Sequence, residues 1–564
     1  MDKITRRWLV YPNTIPWISI NNKRDENFYE SSVIEKDFII EDDGHIRCFT
    51  KENKGEKGKN LFSSTISSDG KIEKKEQLAS EDEWNDSFDQ TEAYKVTKNR
   101  YSFSYNGYKY TIDDYRKPNN IGTIEIEFES EEDAKKFEPE FWFGREITED
   151  KSYSDLNLAQ NPKKFFTEIV LTGGPCGGKS TALANLKSMF EGQGYKVLVS
   201  SEVASDIIGS GAHPRQVPSY SFQRVMVQSM LAKEENMRLL AYEYFQKGNE
   251  KPVIIFYDRG IPDNSAYCDP KTWETILTEL GLTSENLNHR YDGVIDIVTT
   301  ARGANEVYDM QKSNNEARYE TAEEACLAED KIQQAYAGCN NFISVINTKS
   351  VCEEGKWKEV LISWQEKLNN IINAARAIVG LGPVLSINKR MIVRKPENIE
   401  DFAKKYKCVV QEIEQRYLAN GNTNKEHRIR KIGRPGDWAY YETEKEIKPD
   451  KHISTIQRVI DKETYNRLAK LKGDSTCGVI KKKRYSFVFN GGLQYNLDVF
   501  EDEYPGYKGK AVLGLKGQEK DKKVPEDLIP EELRKDIPVD DISNKPFFEY
   551  QIAVKSHGIE DSER

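Results

Sequence analysis

The chain has 564 residues, 31% of them charged and 37% hydrophobic, with a formal net charge of −10. That length suits about three domains, and the acidic balance excludes a protein that coats nucleic acid over its whole surface, though not a basic pocket inside an acidic shell. No apolar run is long enough to span a bilayer, the opening MDKITRRWLVYPNTIPW lacks a signal peptide's apolar core, and the eight cysteines form no C-x-x-C; neither a disulfide framework nor a zinc site is expected, and a cytoplasmic location is.

The first 160 residues read as β-rich. Arg7 lies in an opening strand, RRWLV, and Arg47 follows farther on. Lys98 and Arg100 begin an alternating run that turns at Asn106-Gly107 and continues to Asp113, a β-hairpin signature. Glu125 and Glu127, two residues apart, share a strand face.

From about 165 to 380 strands alternate with helices. Ile169–Leu171 runs into Gly173, Gly174, Pro175, Cys176, Gly177, Gly178, Lys179, Ser180 and Thr181, a complete G-x-x-x-x-G-K-[ST] phosphate loop. Its glycines let backbone N–H groups curl round an anion, and the following helix adds its dipole. Lys179 reaches the terminal phosphates and Ser180 ligates Mg²⁺. Further apolar strands are expected at 195–200, 252–257, 293–299 and 342–346, hence a parallel sheet covered on both faces. Ligands of such sheets sit beyond the carboxyl ends of the strands, where Glu202, Asp258 and Arg259 fall. Asp258 is suited to holding Mg²⁺ or taking the proton of an attacking hydroxyl, and Arg259 to steadying a phosphate. Glu202 reads equally well as an acid favoured at a helix N-terminus. Arg318, in the polar stretch 314–321, is either a lid arginine that closes over the phosphates or a solvated loop residue. Asn347-Thr-Lys-Ser lacks the aspartate of a guanine-reading N-K-x-D, so ATP and GTP both stay open.

Residues 386–556 repeat the first segment. Lys482-Lys-Arg484 to Asp498 aligns with Lys98 to Asp113, Asn388-Lys-Arg390 with Thr5-Arg-Arg7, and Arg428 with Arg47. Arg428 and Arg430 share one face, as do Lys482 and Arg484, with Lys445 on another strand and Arg458 a looser match. Charge at strand period two points to antiparallel barrels with polar interiors.

Two resemblances follow from these residues. LTGGPCGGKST, SSEVASDII, FYDRGIPDNSAY and NNEARYETAEEA resemble the P-loop domain of ribosylnicotinamide kinases and the TRPL-translocation-defect protein family. That likeness implies catalysis or nucleotide closure by Asp258 and Arg318. The outer segments, through RRWLV, K-x-R-Y with its later aspartate, and HRIR, resemble CYTH domains, the triphosphate tunnel fold. The likeness implies inward Arg and Lys binding a triphosphate, with metals held by an E-x-E-x-K strand. Here the opening strands read Lys3-Ile-Thr5-Arg-Arg7 and Ser386-Ile-Asn388-Lys-Arg390, without those glutamates. Glu412-Ile-Glu414-Gln-Arg416 is assigned to the next strand, and Val512-Leu-Gly-Leu replaces the late Glu125 and Glu127.

The expected architecture is α/β and α+β multidomain: a parallel-sheet, kinase-like P-loop NTPase domain (165–380) between two antiparallel CYTH-like barrels (1–160 and 386–556), with a tail at 557–564. The expected function is Mg²⁺-dependent binding of ATP or GTP, with hydrolysis or phosphoryl transfer, and binding of a phosphorylated small molecule or head group in the barrels. A slow-turnover binding or trafficking module that recognises phosphoinositide-like head groups is the alternative, and an active tunnel triphosphatase a second one. Peripheral membrane contact is compatible with either; nucleic acid is not expected, an RNA 5′ end being the exception left open.

Overall fold

The structure, a computed structural model, describes residues 4–11, 15–17, 20, 29–40, 45–66, 72–78, 93–117, 121–160, 163–248, 251–304, 306, 308–309, 321–339, 341–353, 356–381, 389–418, 425–447, 453–460, 462–471, 477–489, 493–500, 509–515, 529–534, 540–541 and 552. By packing they form two compact units, 1–166 with 238–253, and 167–237 with 254–564.

The first unit is built on an antiparallel sheet of β1 (Ile4–Val10), β2 (Tyr29–Ile40), β3 (Ile46–Asn53), β4 (Lys59–Ile66), β5 (Ile72–Gln77), β6 (Ala93–Tyr105), β7 (Tyr108–Lys117) and β8 (Ile121–Phe128). Their order is β1-β8-β7-β6-β2-β3-β4-β5, and Ile4 stands opposite Phe128. The β6–β7 turn is Asn106-Gly107, at φ 51° and 81°, the pair that suits a hairpin because its twist matches the strands. One face is apolar, with Trp8, Val10, Phe103, Ile112, Ile124 and Ile126 in a single core. The other face carries charge and meets the short helix α1 (Asp155–Gln160).

In the second unit, β9 (Phe166–Thr172), β10 (Val197–Ser200), β11 (Val253–Asp258), β12 (Gly293–Ile297) and β13 (Phe342–Val345) form a sheet in the order β10-β11-β9-β12-β13, parallel in its registered pairs. Its strands bury Ile169, Leu171, Ile254, Phe256, Ile295 and Ile297. Leu183, Leu186 and Phe190 of α2 (Lys179–Gly192) pack on them, as does Ile371 of a later helix, α5 (Trp364–Val379). Between lie α3 (Ser284–Asn288) and α4 (Ala322–Ala335). An antiparallel pair, β14 (Thr348–Glu353) and β15 (Lys356–Leu361), was not expected from the sequence.

The same unit contains a second antiparallel sheet: β16 (Lys389–Arg394), β17 (Val409–Tyr417), β18 (Lys425–Arg434), β19 (Asp437–Ile447), β20 (Ile453–Ile460), β21 (Ile480–Phe489), β22 (Leu493–Phe500), β23 (Lys510–Leu515) and β24 (Asp540–Asp541). The order is β20-β19-β18-β17-β21-β22-β23-β16-β24. Without β24 this retraces the first sheet strand for strand, β16 standing for β1 and β23 for β8. The repeat legible in the sequence is thus a repeat of topology. Among the described residues, no helix is long and apolar enough to cross a membrane.

Candidate functional site

The phosphate loop joins buried β9 to α2. Gly178 sits at φ 98°, and a Cβ there would lie 2.6 Å from the Trp364 ring, so only glycine fits. Each loop carbonyl from Gly173 to Gly177 has a donor. Lys179 Nζ donates to Gly173 O (2.8 Å) and Gly174 O (3.0 Å), Thr299 Oγ1 to Pro175 O (2.5 Å), Thr300 Oγ1 to Cys176 O (3.1 Å), and Lys367 Nζ to Gly177 O (3.1 Å). Ser180 and Thr181 open the helix and are exposed. No side chain caps this helix N-terminus, which leaves its first N–H groups and dipole to an anion.

Asp258 closes β11, one strand from the loop strand. Its Oδ1 is buried with no hydrogen-bond partner. Burial raises this carboxyl above its ordinary value, and Lys179 opposes the shift. Arg259 is held at φ 73°, with its N–H on Leu171 O (2.9 Å) and its Nε on Glu202 Oε1 (2.5 Å). Burial pushes the Glu202 carboxyl up, but the Arg259 charge and the Ser205 hydroxyl prevail and hold it at about 2. Burial, then the Arg259 charge, lower the Lys179 ammonium. Glu202, Arg259, Asp258 and Lys179 are therefore one electrostatic group. Arg318 lies outside the described residues.

Several residues that sequence reasoning missed support this loop. Asp263 accepts from Thr172 Oγ1 (2.5 Å), Tyr336 Oη (2.5 Å) and Gly260 N–H (2.9 Å). Glu329 on α4 accepts from Gly174 N–H (2.8 Å) and Thr299 N–H (2.7 Å). Burial, then the Glu329 charge, push the Asp296 carboxyl well above its ordinary value. Lys367 also donates to Val298 O (2.8 Å) and Asn347 Oδ1 (2.7 Å), and burial lowers its ammonium to about 8. A signal was present: Glu329 falls on the stripe Ala325, Ile332, and Lys367 on Leu368, Ile371, positions reserved for apolar residues.

In the C-terminal sheet, the register puts Arg428 opposite Thr443 and Tyr417, Arg430 opposite Tyr441 and Gln415, Lys445 opposite Glu426, Lys482 opposite Ile413, and Arg484 opposite Asp498. Arg390, opposite Gly514, shares their face. Arg428 and Arg430 are 8% exposed and Lys482 3%, so this polar face is an interior. The opposite face is apolar, built from Met391, Phe487, Leu497 and Leu513. Asp498 binds Lys482 (2.8 Å) and Arg484 (2.7 Å), and Glu426 lies 3.2 Å from Lys445 and 3.4 Å from Arg428. Cations outnumber these carboxylates. Arg458 stands opposite Glu442, out of phase with Thr443 and Lys445. Glu414 is on the other face too, paired with Lys431 (3.0 Å) and Arg416 (2.9 Å).

The first sheet differs in its charge. Arg100 chelates Asp113 with two 2.7 Å bonds, and Lys98 reaches Asp113 (2.7 Å) and Asp155 (2.9 Å). Asp155, from α1, also accepts from Lys36 (2.6 Å) and Tyr115 Oη (2.5 Å). Arg7 donates to Tyr115 Oη (3.0 Å) and Thr123 Oγ1 (3.1 Å). Glu125 faces Arg7 and Thr111, and Glu127 faces Thr5 and Lys109. Two alignments need correction. Arg47 pairs with Ile39 and Thr65 and lies over the Phe49 ring at 5.0 Å, on the opposite face from Lys98. Through the strand pairings, Cys48 and Thr50 hold the places of Arg428 and Arg430; a slip of one residue changes faces because side chains alternate. Likewise Gly514, opposite Arg390, holds the place of Glu125, opposite Arg7.

Residues 168–354 match the family described as AAA domain. An inorganic triphosphatase from Acetivibrio thermocellus is 34% identical over 73 residues, 13% of this chain and 46% of that protein. The chain thus spans about half the length of the curated relative it matches. Among solved structures, an inorganic triphosphatase shows 24% identity over 28% of this chain and 95% of its own, with TM-score 0.22. A Pyrococcus horikoshii protein shows 21% identity over 24% and 80%, with TM-score 0.18. The family match supports the P-loop features, and the curated relative the CYTH features.

Proposed function

We propose that the chain binds ATP or GTP with Mg²⁺ at residues 173–181 and hydrolyses it or transfers its phosphoryl group, while the C-terminal sheet binds a phosphorylated small molecule or head group. The domain limits 1–160, 165–380 and 386–556 are part of this proposal. The observation that carries it is the buried, unpartnered Asp258 Oδ1 beside Lys179, one strand from the phosphate loop. A carboxylate oxygen left without a donor among cationic neighbours suits a metal ion. Ser180 and Asp258 would hold Mg²⁺, which supplies charge neutralisation on the phosphates. Lys179 leaves the loop carbonyls to reach the terminal phosphates, Arg259 is kept in place by Glu202, and Asp258 is positioned to orient the attacking hydroxyl.

The cluster of buried basic side chains on one face, Arg428, Arg430 and Lys482 among them, supports anion binding by the C-terminal sheet. The loss of metal-holding glutamates at Gly514 and on the opening strand favours binding there over triphosphate hydrolysis. Calorimetry and phosphate release with ATP and GTP test the phosphate-loop reading. Lys179→Ala should weaken nucleotide binding about tenfold or more; Asp258→Asn should abolish turnover while changing Mg²⁺-nucleotide affinity less. Equal affinity in Lys179→Ala and parent removes the loop assignment, and unchanged turnover in Asp258→Asn makes that acid structural.

A further inference from the structure

We propose that the interior anion site of the C-terminal sheet and the phosphate loop are thermodynamically linked through α4, so that filling one changes affinity at the other. This rests on the reading that each site binds its own ligand.

The helix α4 touches both sites. Near its middle, the fully buried Glu329 holds the Gly174 and Thr299 N–H groups at 2.8 and 2.7 Å. Just past its end, Tyr336 Oη holds Asp263 at 2.5 Å, and Asp263 in turn takes Thr172 at the end of the loop strand. In the same turn, Ala337 O accepts from Gln494 Nε2 of β22 at 2.6 Å, and Gln334 donates to Lys407 O beside β17. Gln494 and Asp498 lie on one strand and one face, about 13 Å apart at the rise of a strand. Asp498 is the carboxylate that occupies Lys482 and Arg484. A polyanion entering the interior competes with Asp498 for those two cations, and the strand that anchors α4 carries the consequence.

A second contact runs beside the first. Gln411, opposite Arg484 in register, donates to both oxygens of Glu285 on α3, at 2.9 and 3.0 Å. Glu285 holds the His289 ring at 2.6 Å, and that ring meets Tyr441 edge-on with centroids 5.0 Å apart. Tyr441 lies 5.7 Å from the Arg430 guanidinium. The first contact reaches the loop strand through Tyr336, Asp263 and Thr172, whereas the second joins the cation-bearing strands to α3. Glu329 has little slack: a single oxygen, Oε2, takes both N–H groups, and charge-assisted bonds to N–H groups weaken steeply with displacement.

The test uses the full chain, tripolyphosphate, and a non-hydrolysable ATP or GTP analogue with Mg²⁺, each titrated alone and then with the other saturating. The expected result is at least a fivefold change in the analogue's dissociation constant, and the same factor in the reverse titration. Gln494→Leu and Gln334→Ala should keep each ligand's own affinity and bring the factor close to one. Gln334→Ala removes a half-buried side chain only, so it keeps the test valid if Gln494→Leu does not fold. Both ligands binding without mutual effect in the parent overturns the linkage and leaves the two-site reading standing. A factor that persists in Arg428→Gln/Arg430→Gln means direct competition at the loop and overturns it. A factor unchanged in Gln334→Ala and Gln494→Leu removes α4 as the carrier. Failure of either ligand to bind alone overturns the linkage together with the reading beneath it.

Discussion

At the scale of single residues, the candidate site is a set of charges that hold one another. Lys179, Asp258, Glu202 and Arg259 were legible because a glycine-rich loop and the ends of apolar strands mark them. Glu329, Asp296, Asp263 and Lys367 were not, since a buried ion on a helix stripe looks like a break in an apolar pattern until its distant partner is known. Glu329 gives a direct prediction. Glu329→Gln keeps the volume but loses the negative charge that takes two N–H groups, and it sets an amide against Asp296. Chemical denaturation should show a loss of about 2 kcal/mol, together with weaker nucleotide binding. A variant with parent stability and affinity would show that the loop holds its shape without this acid.

At the scale of elements, strand existence was easier to read than strand register. The Asn106-Gly107 hairpin and the strands of the parallel sheet followed from alternation and turn chemistry. Arg47 did not, because sequence alignment tolerates a one-residue offset that the pleat converts into the opposite face. Asp155 was hidden for another reason: it comes from a short helix 57 residues beyond Lys98 in the chain, and local pattern does not report which strand face a later helix will cover. Its carboxylate supplies the first sheet's interior with an anion of its own. Asp155→Ala leaves the buried Lys98 with Asp113 but without its second carboxylate and should cost about 2 kcal/mol, with millimolar tripolyphosphate restoring part of the thermal stability. No loss on substitution would mean that Asp113 alone satisfies these cations. The pH dependence has a fixed sign. Burial raises Asp113, but Lys98 and Arg100 overcome it and hold it at about 2, and Lys98 with Lys36 holds Asp155 well below its ordinary range. Both folded values are depressed, so their stabilisation is complete above about pH 4 and is lost on acidification, Asp113's as pH falls through about 2 and Asp155's with the same sign. Asp113 contributes about 2 kcal/mol of it by that shift. The measurement is an acid titration of the first sheet's near-ultraviolet signal.

At the scale of the whole molecule, two sheets of one topology differ in what fills them. Among the described residues, Lys36, Lys98 and Arg100 of the first sheet pair with Asp113 and Asp155; in the second, Lys482 and Arg484 pair with Asp498, Lys445 and Arg428 with Glu426, and Arg390 and Arg430 share that face. Tripolyphosphate should therefore bind the second without a divalent ion, and more weakly as salt rises, because the attraction is Coulombic. Calorimetry of the full chain in EDTA at two ionic strengths checks this. Metal-dependent phosphate release that survives Lys179→Ala but not Arg428→Gln/Arg430→Gln would instead identify a tunnel triphosphatase. The pairing of first with eighth strand in each copy has a consequence for how such a chain arises. Ile4 stands opposite Phe128, and Lys389 opposite Leu515, so the first strand of each eight-strand set lies beside its last. Each set is therefore a cassette: duplicating it, or splicing another domain between duplicates, leaves the pairings within each set intact.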